Sequence, residues 1–134
     1  MSVQPREQTV FVVDDEFVIA ETVTMILRGA GYDARSFSEP KAALDAVADG
    51  SPDLLLTDVA MPEMNGIDLG MRIQQLRPSC KVLVFSGQPS SPALVAKAQN
   101  EGHHFGFVSK PVHPLKLLEK IEYVMTDDWV GGVA

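Results

Sequence analysis

Apolar residues along this chain alternate between two spacings. Thr9-Val-Phe-Val-Val13 is a continuous β-branched and aromatic run, which predicts a buried strand ending at Asp14-Asp15. From Glu16 the spacing turns helical. Ala20, Val23, Leu27 and Ala30 fall on one stripe, and Gly29 and Gly31 mark the exit. Residues 32–37 are more polar and alternate, which suits an edge strand. Ser38 is a candidate N-cap, with Pro40 in the first turn, for an Ala-rich helix to Asp49 that Gly50 stops. Leu54-Leu55-Leu56, bounded by Pro52 and Pro62, predicts a strand buried on both faces and ending at Asp58. Pro62 and Gly66 then force a turn. Leu69, Ile73 and Leu76 form the next helical stripe, closed by Pro78. Lys81 to Phe85 predicts a fourth strand ending at Ser86-Gly87. Pro89 and Pro92 leave only a weaker helix, Ala93 to about Asn100. Phe105 to Val108 predicts a fifth strand leading to Ser109-Lys110-Pro111. Leu115, Leu118, Ile121 and Met125 form the last stripe.

Strand and helix thus alternate with short connections, the signature of an α/β fold with helices on both faces of a parallel sheet. Right-handed crossovers restrict the topology. Five strands suit the flavodoxin-like, doubly wound order 2-1-3-4-5, a three-layer α/β/α arrangement. That order sets the ends of strands one and three side by side. Residues 1–8 are expected to be a disordered N-terminus, 9–127 the domain, and 128–134 a tail that carries Trp129 and two glycines.

The 134 residues fit one domain, with 46% hydrophobic and 22% charged residues. The formal net charge of −7 disfavours contact with nucleic acid or an anionic membrane, both of which need basic patches. No apolar run approaches the roughly 20 residues of a membrane span. Cys80 is the only cysteine, which fits a reducing cytoplasm; next to an apolar run, it is expected to be a packed thiol.

The polar strand ends carry the chemistry. In the expected order they converge: Asp14 and Asp15 from strand one, Asp58 from strand three, Ser86 from strand four and Lys110 from strand five. Ligands of open α/β sheets bind at such carboxyl ends. Three carboxylates in one crevice repel each other, and a bound divalent cation relieves this better than protonation does. An oxygen-rich acidic pocket suits Mg²⁺. A metal, a lysine and a hydroxyl around an exposed carboxylate form a phosphoryl-transfer site, in which a carboxylate can act as the nucleophile. Each signal has an ordinary reading too. Asp58 could cap a loop, Asp14-Asp15 a helix, Ser86-Gly87 could be a turn, and Lys-Pro is a common dipeptide. Four such signals at successive strand ends are specific.

These residues carry a family resemblance. Val-Val-Asp14-Asp15-Glu16, the run Asp58-x-x-Met61-Pro62-x-Met64-x-Gly66, Ser86-Gly87 and Lys110-Pro111 stand in the order found in receiver domains of two-component response regulators, and the chain resembles that CheY-like family over about residues 8–126. The resemblance implies that Asp58 is the phospho-acceptor. It implies that Asp15 ligates Mg²⁺ directly, with Asp14 partly through water, and that the backbone carbonyl of Ala60 is a further ligand. Ser86 and Lys110 would contact the phosphoryl group. Phe107 matches the aromatic position that turns inward when Ser86 moves, although a plain core aromatic is the ordinary reading. The surface built from the fourth helix, fifth strand and fifth helix would then change. The implied donor is a phosphohistidine on a histidine kinase or phosphotransfer protein, and the implied location is cytoplasmic. Such a protein is a switch rather than an enzyme, catalysing only its own phosphorylation and dephosphorylation. A monomer or weak dimer is expected, either standing alone or cut from a longer regulator.

The departures from the pattern cluster before the fifth strand. A glycine followed by a small residue is usual there; this chain has His103 and His104, with Gly102 one step earlier. The fourth helix is therefore expected to start and pack unusually, with the two histidines in a solvated loop rather than sensing metal or pH. Ala60 and Gln88 offer no charge to orient an attacking water, so slow self-dephosphorylation is expected. Three other functions make different demands on the sequence. A Mg²⁺-dependent phosphohydrolase needs a second Asp where Ala60 stands, and a cap domain. A flavodoxin-like nucleotide binder needs a hydroxyl- and glycine-rich loop where Asp14-Asp15-Glu16 stands. A docking-only receiver does not need the full acidic set.

Overall fold

The computed structural model describes residues 8–103, 105–126 and 132–133. Five strands and five helices alternate: β1 (Thr9–Val13), α1 (Phe17–Gly29), β2 (Asp33–Phe37), α2 (Pro40–Gly50), β3 (Leu54–Thr57), α3 (Gly66–Leu76), β4 (Lys81–Ser86), α4 (Ser91–Asn100), β5 (Phe105–Ser109) and α5 (Pro114–Val124). They make a parallel sheet in the expected order 2-1-3-4-5. The fold is the doubly wound, flavodoxin-like three-layer architecture expected from the sequence. A short sixth strand, β6 (Gly132–Val133), extends the sheet beyond β5, pairing in parallel with Gly106 and Phe107. The tail expected at 128–134 therefore contributes one pair of residues to the sheet; Trp129 lies outside the described residues, as do residues 1–7. Gln8, expected in the disordered N-terminus, is tied in through its carbonyl, which accepts from the Asp33 amide at 3.0 Å.

The alternation of side chains along each strand builds two cores. Phe11, Val13, Leu55, Val82, Val84 and Phe107 face one side and pack under α2, α3 and α4. Val10, Val12, Leu54, Leu56, Leu83 and Phe85 face the other and pack under α1 and α5. β1 and β3 are buried along their whole length, which explains why they read as unbroken apolar runs. β2 lies at the sheet edge and is the most polar strand, as expected.

The helices depart from the sequence reading in detail. On α5 the buried stripe is Leu117, Ile121 and Val124, while Leu115 is exposed. On α3 it is Ile67, Leu69, Gly70 and Ile73, and Leu76 faces solvent. Ala30 is exposed at the end of α1. Glu39 rather than Ser38 takes the N-cap position of α2, without a side-chain bond, and Gly50 is the last helical residue rather than the stop. Helix α4 begins at Ser91, two residues earlier than expected. Cys80 is buried, and burial pushes its thiol pKa up to about 12, as a packed thiol requires.

Gly102 explains the displaced glycine before β5. Its φ of +95° is left-handed, and the amides of Gly102 and His103 bond to the carbonyls of Gln99 and Ala98 at 3.0 Å each. That pair of bonds is the Schellman closure of a helix, which needs a residue without a Cβ penalty at this step. His103 follows it half-buried, its ring 5.8 Å from that of Phe105, so the expected solvated loop is only half right. His104 lies outside the described residues.

Candidate functional site

The site gathers where β1, β3, β4 and β5 end. Parallel pairing sets Val13 of β1 beside Thr57 of β3, so the residues that follow, Asp14 and Asp58, leave the sheet side by side. The amide of Asp58 donates to the Val13 carbonyl at 3.0 Å, and that of Asp14 to the Phe37 carbonyl at 3.1 Å. Both carboxylates therefore hang from backbone fixed by neighbouring strands. One oxygen from each of Asp14, Asp15 and Asp58 lies within 4.8 Å of the others. Asp14 and Asp58 are buried, and Asp15 is exposed.

Lys110 reaches this cluster from the end of β5. Its backbone amide donates to the Ser86 carbonyl at 2.9 Å, which fixes where the side chain starts. Its ammonium donates to Asp14 Oδ2 at 2.9 Å and lies 3.7 Å from Asp58 Oδ2. The ring of Phe85 lies beneath it, 5.0 Å from nitrogen to centroid, a second attraction for the cation. Asp14 Oδ1 accepts from the Glu16 amide at 3.0 Å, and Asp58 Oδ1 from the Val59 amide at 2.8 Å.

Burial raises the pKa of Asp58 above the usual carboxylate range; Lys110 lowers it, Asp14 raises it, the Val59 amide lowers it and Asp15 raises it. One ammonium does not offset three carboxylates. The uncompensated negative charge and the all-oxygen donor set fit a hard divalent cation such as Mg²⁺, held by Asp14, Asp15 and Asp58. Ala60, in the loop two residues beyond Asp58, is exposed.

That loop is shaped by a close approach. A Cβ on Gly66 would stand 1.8 Å from the Asp58 carbonyl oxygen, so α3 can begin this near the site only with glycine. The Gly66 amide donates to the Val59 carbonyl at 2.9 Å, and Thr57 Oγ1 donates to the Asp58 carbonyl at 2.8 Å. Ser86 is buried at the end of β4, with its hydroxyl accepting from the Gln88 amide at 3.1 Å. Phe107 is buried on β5 in the core beneath α2, α3 and α4. Asp14, Asp15, Asp58 and Lys110 thus form one cluster, and Ser86 borders it through its carbonyl on Lys110. The sequence reading missed Thr57, Phe85 and Ser91, whose side chains contact the Asp58 carbonyl, the Lys110 ammonium and the Ser86 hydroxyl. For the first two the only signal is that each directly precedes a motif residue. Ser91 gives none.

No helix among the described residues is long and apolar enough to cross a membrane. The family model described as "Response regulator receiver domain" matches residues 10–122. The chain is 32% identical over 120 residues to "DNA-binding transcriptional regulator NtrC" of Azospirillum brasilense, an alignment covering 90% of this chain and 24% of that protein. It is 31% identical over 114 residues to "DNA-binding response regulator MtrA" of Mycolicibacterium smegmatis, covering 85% of this chain and 49% of the relative. The chain thus spans about a quarter to a half of the length of these relatives. A solved response regulator receiver domain protein (CheY-like) from Methanospirillum hungatei JF-1 superposes with a TM-score of 0.80 at 28% identity, covering 89% of this chain and 94% of that one. Because the family match runs from β1 into the last turn of α5, taking in all five helices and the strands between them, the chain belongs to the response regulator receiver domain family of two-component signalling.

Proposed function

We propose that this domain is a phosphoryl-accepting switch. An Asp58 carboxylate oxygen attacks the phosphorus of a phosphohistidine on a histidine kinase or phosphotransfer protein. An O–P bond forms and the P–N bond breaks; the imidazole nitrogen keeps the electron pair and takes up a proton. Mg²⁺ bound by Asp14, Asp15, Asp58 and the Ala60 carbonyl would neutralise charge on the transferring oxygens. Lys110 holds one of those oxygens by charge, and Ser86 donates a hydrogen bond to another. The domain catalyses only its own phosphorylation and dephosphorylation.

The observation that carries this reading is the position of Asp58. It sits on a rigid strand end with two carboxylates and an ammonium around it. Phe17 and Val18, both exposed, follow closely after Asp15 and give the rim an apolar surface on which a donor protein can rest. Phosphorylation adds a dianion that Ser86 and Lys110 bind better in one backbone arrangement than in another. Phe107 and the α4–β5–α5 surface then pass the change to an output partner or domain.

The test is incubation with Mg²⁺ and acetyl phosphate, followed by intact mass measurement of the wild type and Asp58→Asn. One phosphoryl adduct on the wild type and none on the variant is expected. No adduct on either favours a docking-only receiver, and equal labelling moves the acceptor elsewhere.

A further inference from the structure

Ser91 is the first residue of α4 and is wholly buried. A serine at a helix start ordinarily caps a backbone amide of the first turn. Here α4 has no side-chain cap, and the Ser91 hydroxyl instead turns back to the end of β4, sharing a hydrogen bond with Ser86 Oγ at 2.8 Å. The Gln88 amide donates to the same oxygen at 3.1 Å. A hydroxyl oxygen accepts two hydrogen bonds and donates one. Either hydroxyl of the pair can donate to the other, so an acceptor-only group at Ser86 takes the Ser86 proton and leaves Ser91 as the donor between them. Ser86 is 1% exposed, so water does not compete for these bonds.

We propose that Ser91 is a positioning residue for the phosphoryl group: its hydroxyl takes the donor part in the bond it shares with Ser86 when Ser86 donates to a phosphoryl oxygen, and it ties the first turn of α4 to that bond. The inference rests on the reading of Asp58 as the phosphoryl acceptor. Once a phosphoryl oxygen accepts from Ser86, the run Ser91 to Ser86 to phosphoryl points one way, and each bond polarises the next. The charge on Asp58 thus tightens the Ser91–Ser86 bond and, with it, the start of α4. A hydroxyl bonded only within its own helix would not respond to Asp58 in this way.

The test uses beryllofluoride, a phosphoryl mimic, with Mg²⁺ and the full chain as wild type, Ser91→Ala, Ser86→Ala and the double variant. Ser91→Ala is expected to weaken beryllofluoride binding about 3- to 10-fold, the range of one hydrogen bond. Its affinity for Mg²⁺ alone should stay that of the wild type. In the Ser86→Ala background the same change should add nothing, because the effect passes through Ser86. Hydrogen exchange should show slowing across residues 91–100 on beryllofluoride binding in the wild type, and a smaller slowing in Ser91→Ala. Should Ser91→Ala not fold, Ser91→Cys keeps the shape with a weaker donor and should show the same loss. Unchanged binding in the Ser91 variant, or an equal loss in both backgrounds, overturns this inference alone. A wild type that takes neither beryllofluoride nor phosphoryl overturns the acceptor reading, and this one with it.

Discussion

Lys110 serves Asp14 and Asp58 at once, 2.9 Å from an oxygen of the first and 3.7 Å from one of the second. One cation holds together the ends of β1 and β3 from the end of β5. Lys110→Met leaves Asp14, Asp15 and Asp58 facing each other without it. In metal-free buffer at neutral pH, urea denaturation should show a loss of about 1–3 kcal/mol, the scale of a charged hydrogen bond in a partly shielded site.

Asp58 has a pKa raised above its unfolded value, chiefly by burial. Its protonated form is favoured in the fold, so its contribution to stability is fully present below the unfolded pKa. That contribution is lost as pH rises through the folded value. Asp58→Asn removes the titration. In metal-free buffer the variant should gain stability relative to the wild type as pH rises from about 4 to about 7, read from paired denaturation curves.

A cation that binds the carboxylate cluster stabilises the fold by mass action. At about ten times its dissociation constant, Mg²⁺ should add about 1.4 kcal/mol to the wild type. Asp15→Asn, which removes the exposed carboxylate of the cluster, should shrink that gain at the same Mg²⁺ concentration. Thermal melts with and without a chelator measure both.

Gly66→Ala drives a methyl group to 1.8 Å from the Asp58 carbonyl oxygen. Backbone must move, at a cost of about 3 kcal/mol or more. The movement falls on the loop that supports Asp58, so Mg²⁺ affinity should fall along with stability. Titration calorimetry on the folded fraction separates the two.

Ala60 and Gln88 are exposed and uncharged. With no charged group there to orient water, the Asp58 phosphoryl group should outlast a few seconds in the isolated domain. Decay of the intact-mass adduct after removal of acetyl phosphate gives the lifetime.

The sequence made the strands and the charged strand ends legible, because each answers to a local rule. An apolar run between prolines is a buried strand, and polar residues at its carboxyl end face the crevice. Helix faces were harder. On α5, Leu115, Leu118, Ile121 and Met125 make one stripe, and Leu117, Ile121 and Val124 make another that overlaps it. Only the fit against β4 and β5 selects the second. Ser91 was illegible for a different reason. Its neighbours Ser90 and Pro92 spell an ordinary helix start, and its bond to Ser86 depends on how α4 sits over β4. Gly102 shows the converse: a glycine displaced by one step before β5 is required by the closure of α4.

The strand formed by Gly132 and Val133 has a further consequence for recognition. An extended peptide from another molecule could otherwise dock by adding itself to the border of β5 through main-chain bonds. At Gly106 and Phe107 this chain already fills that place with its own residues. At those two positions a reader of the fifth strand comes in over the flanking helices, or else displaces Gly132 and Val133 first.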